Sequence, residues 1–131
     1  MLTVEKIGGT SMSKFQDVIQ NIMLPDGPGK VRYNRIFVVS AYSNVTNWLL
    51  ENKKTGEPGI YSRFAEQKNF GSALDGILVR LVELNEGFGS IGLDLEKANS
   101  YISHRIMQTK SILDSMAEVM ASGYVDKGNI L

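Results

Sequence analysis

Apolar positions change their spacing several times along the chain, and each change marks an element. Leu2, Val4 and Ile7 run into Gly8-Gly9, the pattern of a short strand at about 2–8 ended by a turn. With Ser13 as N-cap, Phe15, Val18, Ile19, Ile22 and Met23 then follow the i, i+3, i+4, i+7, i+8 spacing of one helix face. Pro25-Asp26-Gly27-Pro28-Gly29 should stop that helix in an exposed turn. The stretch 35–41 carries the unbroken apolar run Ile36-Phe37-Val38-Val39, short and β-rich, as expected of a parallel strand buried on both faces. Strand, helix, strand at this spacing predicts a right-handed βαβ unit and an α/β class.

The pattern beyond residue 41 is mainly helical. A helix should begin near Asn47 and carry Trp48, Leu49 and Leu50, followed by a polar loop over Lys53 to Gly59 that is mobile by composition. Ile60, Tyr61, Phe64 and Ala65 suggest a short helix, and Leu74, Ile77, Leu78, Leu81 and Val82 a stronger one. Gly87 to Gly92 holds three glycines; no strand precedes it, so a phosphate-loop reading is rejected. The longest helix is expected from about Asp94 to Ser122, with Leu95, Ala98, Ile102, Ile106, Leu113, Met116, Ala117 and Met120 as a core stripe and Gly123 as the residue after its end. His104, the only histidine, has no second ligand candidate at helical spacing and reads as a surface or packing residue. Gly128-Asn129-Ile130-Leu131 opens a new apolar run, and two strands are few for a parallel sheet, so the chain reads as the front piece of a larger domain.

Composition narrows the function classes. The 131 residues suffice for one domain with a real core, and 43% hydrophobic with 21% charged residues is ordinary for a globular protein. Fourteen basic side chains balance fourteen acidic ones, so neither nucleic acid nor an anionic membrane is expected as partner, and any anion site must be built locally. The absence of cysteine excludes disulfides and thiolate metal sites. No apolar run approaches a membrane span and no signal pattern opens the chain, so a cytoplasmic location is expected.

The candidate chemistry lies where the two strands end. Val4-Glu5-Lys6-Ile7-Gly8-Gly9-Thr10-Ser11 delivers a lysine, two glycines and two hydroxyls to a strand's carboxyl end. Glycines let the backbone approach an anion, and the N–H groups there and at the helix start can point at phosphate oxygens. Lys6 adds a mobile charge, and Thr10 and Ser11 add donors. The same residues also suit a plain strand-to-turn with Lys6 on a solvated edge. The second strand ends in Ser40-Ala41-Tyr42-Ser43-Asn44-Val45-Thr46-Asn47, on the side of a parallel sheet where ligands sit. Turn and cap roles would explain Ser43, Asn44 and Thr46 equally well.

Taken together, in this order and about thirty residues apart, the two clusters resemble the first and second motifs of the aspartokinases, in the amino-acid kinase superfamily. Lys53 to Gly59 and Tyr61 to Ala65 further resemble the aspartokinases of ectoine biosynthesis. The resemblance covers roughly the first 65 residues by motif, and the helices beyond match only in general layout. It implies the N-terminal part of an amino-acid kinase-like three-layer fold, with 1–131 belonging to a catalytic domain. Lys6 then corresponds to the catalytic lysine that contacts the transferring phosphate, and Gly8, Gly9, Thr10 and Ser11 to the ATP-phosphate loop. Ser40 and Thr46 correspond to residues near the phosphate and the aspartate substrate. Ile7 stands where phenylalanine is usual, and Asn44 where glycine is common, which could narrow the backbone path near the amino-acid site.

The implied reaction moves the γ-phosphate of ATP, with Mg2+ bound through the nucleotide, to the side-chain carboxylate of L-aspartate. ATP and L-aspartate are the implied ligands, and a homo-oligomer is expected. No residue before Leu131 matches the family's Gly-Glu motif, its substrate-binding arginine or its nucleotide-base region, so the isolated chain is expected to be inactive. Other amino-acid kinases, of glutamate or acetylglutamate type, are a weaker fit to Val-Ser-Ala and Val-Thr-Asn. A reading from a different class is a non-catalytic nucleotide- or anion-binding module that acts through association with another protein.

Overall fold

The computed structural model describes residues 1–24, 33–125 and 127–129, with only the backbone of Lys127. The proline- and glycine-rich turn at 25–29 and the apolar pair at 130–131 lie outside the described residues. The chain divides into two compact units, Met1–Thr46 and Asn47–Leu131. Among the described residues no helix is long and apolar enough to cross a membrane.

The first unit is built on two parallel strands, β1 (Thr3–Ile7) and β2 (Arg35–Val39), in the register Thr3↔Arg35 to Ile7↔Val39. The α/β class and the parallel pairing agree with the apolar pattern. Side chains alternate across a strand, so Glu5 and Ile7 share one face with Arg35 and Phe37, while Val4, Lys6, Ile36 and Val38 share the other. The first face is covered: Ile7, Met12 and Val18 are buried together, with Phe15, Met23, Phe37 and Tyr42 against them. Phe15 and Tyr42 meet edge to face, 5.7 Å between centroids. The expectation that β2 is buried on both faces is not met. Val4, Ile36 and Val38 remain 67%, 47% and 51% exposed, because the only helical segment described within this unit lies over the opposite face.

That segment is also less regular than its spacing predicts. A 3-10 turn (Ser11–Lys14) leads into a single α-turn, α1 (Phe15–Val18), and then a π-turn (Ile19–Met23) closed by Leu24 N–H on the Ile19 carbonyl at 2.7 Å. Ser13 does not cap a helix; its hydroxyl donates to the Thr10 carbonyl at 2.7 Å. The wider π-turn keeps Val18 and Met23 on the sheet while Ile22 faces solvent.

Helix α2 (Val45–Leu49) leads into the second unit. There the sequence pattern is realised almost residue for residue. An isolated antiparallel bridge pairs Glu51 with Pro58, and α3 (Ile60–Ala65), α4 (Phe70–Glu86) and α5 (Leu95–Ala121) follow. Ile60, Leu74 and Ile77 form the buried centre, flanked by Trp48, Phe70, Leu81, Ile106 and Leu113. Asp94 caps α5 by accepting from Lys97 N–H at 3.0 Å, and Gly123 takes the left-handed conformation (φ 74°) just past its end. Asn85, the one buried polar residue of α4, donates to Asn99 Oδ1 at 2.8 Å and so ties α4 to α5. His104 is exposed.

The loop over Lys53 to Gly59, mobile by composition, is closed by its own hydrogen bonds. Asn52 Oδ1 accepts from Lys54 and Thr55 N–H, Asn52 N–H donates to the Glu57 carbonyl, and Gly59 N–H to the Leu50 carbonyl.

Candidate functional site

Parallel pairing brings the carboxyl ends of β1 and β2 to the same edge of the sheet. The two polar clusters therefore start side by side. Ser40 N–H donates to the Ile7 carbonyl at 3.1 Å, which extends the ladder one step beyond the strands. A methyl group placed on Gly9 would lie 3.6 Å from Ser40 Oγ, so the first loop passes directly beside Ser40. Lys6 is exposed on the uncovered face, two residues before the loop, and pairs with no carboxylate among the described residues. Thr46, also exposed, sits in the first turn of α2.

The loop's donors are divided. The N–H groups of Ser11 and Met12 are both taken by the Gly8 carbonyl, at 3.0 and 3.2 Å. That leaves the Gly9 and Thr10 N–H groups, with the Thr10 and Ser11 hydroxyls, without a hydrogen bond among the described residues. The helix start thus contributes less to an anion site than the sequence suggests, because its first N–H groups close the 3-10 turn. Nor does the fold itself demand glycine here. Neither Gly8 nor Gly9 has positive φ, and a Cβ on Gly8 would meet nothing within 4 Å. Both positions are left open to whatever approaches from outside.

Asn44 stands at φ 69°, in the left-handed region at the turn before α2. Glycine is the default there and asparagine the best-tolerated replacement, since its short amide can bond locally. Asparagine in place of glycine is therefore compatible with this turn.

An ion pair that the motif reading missed lies on the covered face. Arg35 Nε and Nη2 each donate to a Glu5 carboxylate oxygen at 2.6 Å, and Arg35 Nη1 donates to the Ile22 carbonyl at 2.7 Å. Its guanidinium stacks 4.6 Å from the centroid of the Phe37 ring. The hydrogen bond from Arg35, helped by its charge, holds the Glu5 carboxyl below its ordinary range despite the opposing effect of desolvation. Burial pushes the Tyr42 phenol up. A signal was present in the sequence: Glu5 has the parity of buried Ile7, and Arg35 that of Phe37, so opposite charges occupy the inward positions of both strands. Among the described residues no group of three or more His, Cys, Asp or Glu side chains could hold a metal ion.

No family model and no solved structure matches the chain. It is 46% identical over 127 residues, 95% of its length, to a protein of Stutzerimonas stutzeri (strain A1501) named Aspartate kinase Ask_Ect. The chain spans 27% of that relative's length.

Proposed function

We propose that this chain, related to the aspartate kinases over nearly all of its length, supplies the phosphate-facing part of a site that transfers the ATP γ-phosphate to the side-chain carboxylate of L-aspartate, giving 4-phospho-L-aspartate. The observation that carries the reading is the convergence of Lys6, Gly8 to Ser11 and Ser40 at one sheet edge, within a chain of this kinship. In this reading the 131 residues are part of an amino-acid kinase-like catalytic domain, and the rest of the site comes from elsewhere in that domain.

The chemistry suits the residues. An aspartate carboxylate is already ionised at neutral pH, so the nucleophile needs no general base. What it needs is a way to approach a triphosphate. Lys6 would neutralise charge on the transferring phosphate, the Gly9 and Thr10 N–H groups and the Thr10 and Ser11 hydroxyls would orient its oxygens, and Ser40 and Thr46 would lie between phosphate and aspartate. Mg2+ enters with the nucleotide and offsets the charge of its phosphates. Glycine at 8 and 9 fits the same reading, since among the described residues nothing lies within 4 Å of a Cβ on Gly8, and one on Gly9 would meet only Ser40 Oγ at ordinary contact distance, 3.6 Å.

The test is a coupled ADP-release assay, with aspartate and glutamate in parallel, on a protein of the relative's length carrying this sequence. Aspartate-dependent turnover is expected, and Lys6→Met should lower it by roughly 10²–10³, the scale for losing one preorganised donor. Near-normal turnover in a folded Lys6→Met protein would reduce Lys6 to an edge residue. The exposed face of Val4, Ile36 and Val38 beside the loop favours the alternative of an anion-binding module that works by association. Phosphate binding without aspartate-dependent turnover in the long protein would select that alternative.

A further inference from the structure

We infer that Arg35 is a positioning residue for the Gly8–Ser11 loop, because one guanidinium holds both the strand that enters the loop and the helical segment that leaves it. The inference rests on the reading of that loop as anion-facing and names what keeps it in place. On the entering side, Glu5 accepts two parallel bonds from Arg35, both 2.6 Å. On the leaving side, the Ile22 carbonyl accepts the third at 2.7 Å. Ile22 lies within the last turn of the helical segment, where carbonyls lack helical partners and a cation is favoured by the helix dipole.

The whole segment from Glu5 to Ile22 is thereby closed on one side chain. Its middle is pinned separately, by Ser40 N–H on the Ile7 carbonyl and by the packing of Ile7, Met12 and Val18. Between these points the loop bonds to its own turn, with Ser11 and Met12 N–H on the Gly8 carbonyl and Ser13 on the Thr10 carbonyl. Its donors can keep a fixed direction only if both of its ends are held.

Arginine is the residue type this requires. Its planar fork can meet a carboxylate with two N–H groups while a third reaches a carbonyl, and Phe37 flattens it in place. Lysine could keep the charge but not the three directions at once. Its hold on the loop passes through Glu5 and Ile22, which flank the loop on either side. The same side chain is 13% exposed, shielded enough that water competes weakly for its donors.

Amide hydrogen exchange on the 131-residue chain tests this without any ligand. Ser11 and Met12 N–H groups report on the loop, since both bond to the Gly8 carbonyl. In Arg35→Lys and Glu5→Gln, their exchange should quicken roughly tenfold or more, the scale of losing a charge-assisted hydrogen bond. The β1–β2 ladder should quicken clearly less than these two amides, and the amides of α4 and α5 should keep their rates. Unchanged exchange at Ser11 and Met12 in both variants would overturn the inference. So would equal acceleration throughout Met1–Thr46, which would make the ion pair a general stabiliser. No anion is present in this measurement, so its failure is separate from that of the kinase reading, which stands or falls on Lys6 in the turnover assay.

Discussion

At the scale of single residues, backbone conformation decides which substitutions the chain tolerates. Asn44 at φ 69° should accept Asn44→Gly with no loss of stability, whereas Asn44→Ala should cost part of the left-handed penalty of about 1–2 kcal/mol, since alanine has the same Cβ without the short amide that makes asparagine tolerant there. Denaturant unfolding of the two variants checks the order, and an Ala variant as stable as the Gly one would show that the turn relaxes. Gly59 is constrained differently. A Cβ there would lie 2.6 Å from the Leu50 carbonyl oxygen and 2.7 Å from that of Trp48, both backbone atoms that cannot swing aside. Gly59→Ala should therefore cost about 1–3 kcal/mol of the second unit's stability through overpacking. A thermal melt within error of the unsubstituted protein would contradict it. Neither requirement is visible in the letters, because glycine and asparagine mark turns of many geometries. Gly8-Gly9 shows the converse: a glycine pair conspicuous in the sequence, at positions where the chain's own packing leaves room for a side chain.

Elements were legible in proportion to their length and periodicity. α4 and α5 carry many matches to one helical face; α4 contains every residue of its expected face, and α5 falls within a residue of its expected bounds at each end. The segment over 11–23 also repeats with helical spacing, yet it folds as a 3-10 turn, one α-turn and a π-turn. Too short to be regular by propensity alone, it takes the winding that lets Met12, Val18 and Met23 all reach the sheet. The strands were found, but their pairing chemistry was not, since Glu5 and Arg35 meet across a gap in sequence that periodicity does not bridge. This pair gives the first unit a defined pH response. Folding lowers the Glu5 pKa below its ordinary 4.5, so in that acidic range the unfolded chain binds more protons than the folded one. The pair's contribution is full above the unfolded value and is lost as pH falls through the folded one. The difference in melting temperature between the unsubstituted chain and Glu5→Gln should accordingly shrink below about pH 4.5. A difference that stayed constant down to pH 3 would mean that Glu5 and Arg35 do not pair in solution.

At the scale of the whole molecule, the two units are unequally finished. The second encloses a centre in which Leu74 is fully buried, whereas the first leaves Val4, Ile36 and Val38 on an open sheet face. An exposed apolar sheet face invites association, so at high concentration this chain should self-associate, and Ile36→Thr with Val38→Thr should reduce it. The chain spans 27% of its aspartate kinase relative, and in the proposed reading it supplies the phosphate-facing groups while those that hold the amino acid's carboxylates come from elsewhere in the domain. Positioning both reactants is worth several orders of magnitude in effective molarity, so holding one alone forfeits most of the rate. The 131-residue chain by itself is therefore expected to show no aspartate-dependent ADP release, although a local anion site built from Gly9, Thr10 and Ser11 needs only nearby backbone and hydroxyls and can persist without the rest. A parallel assay with a protein of the relative's length under the same conditions decides it. Turnover by the short chain at a comparable rate would mean that the aspartate site lies within these residues, and the place to look would be the Ser40–Thr46 turn.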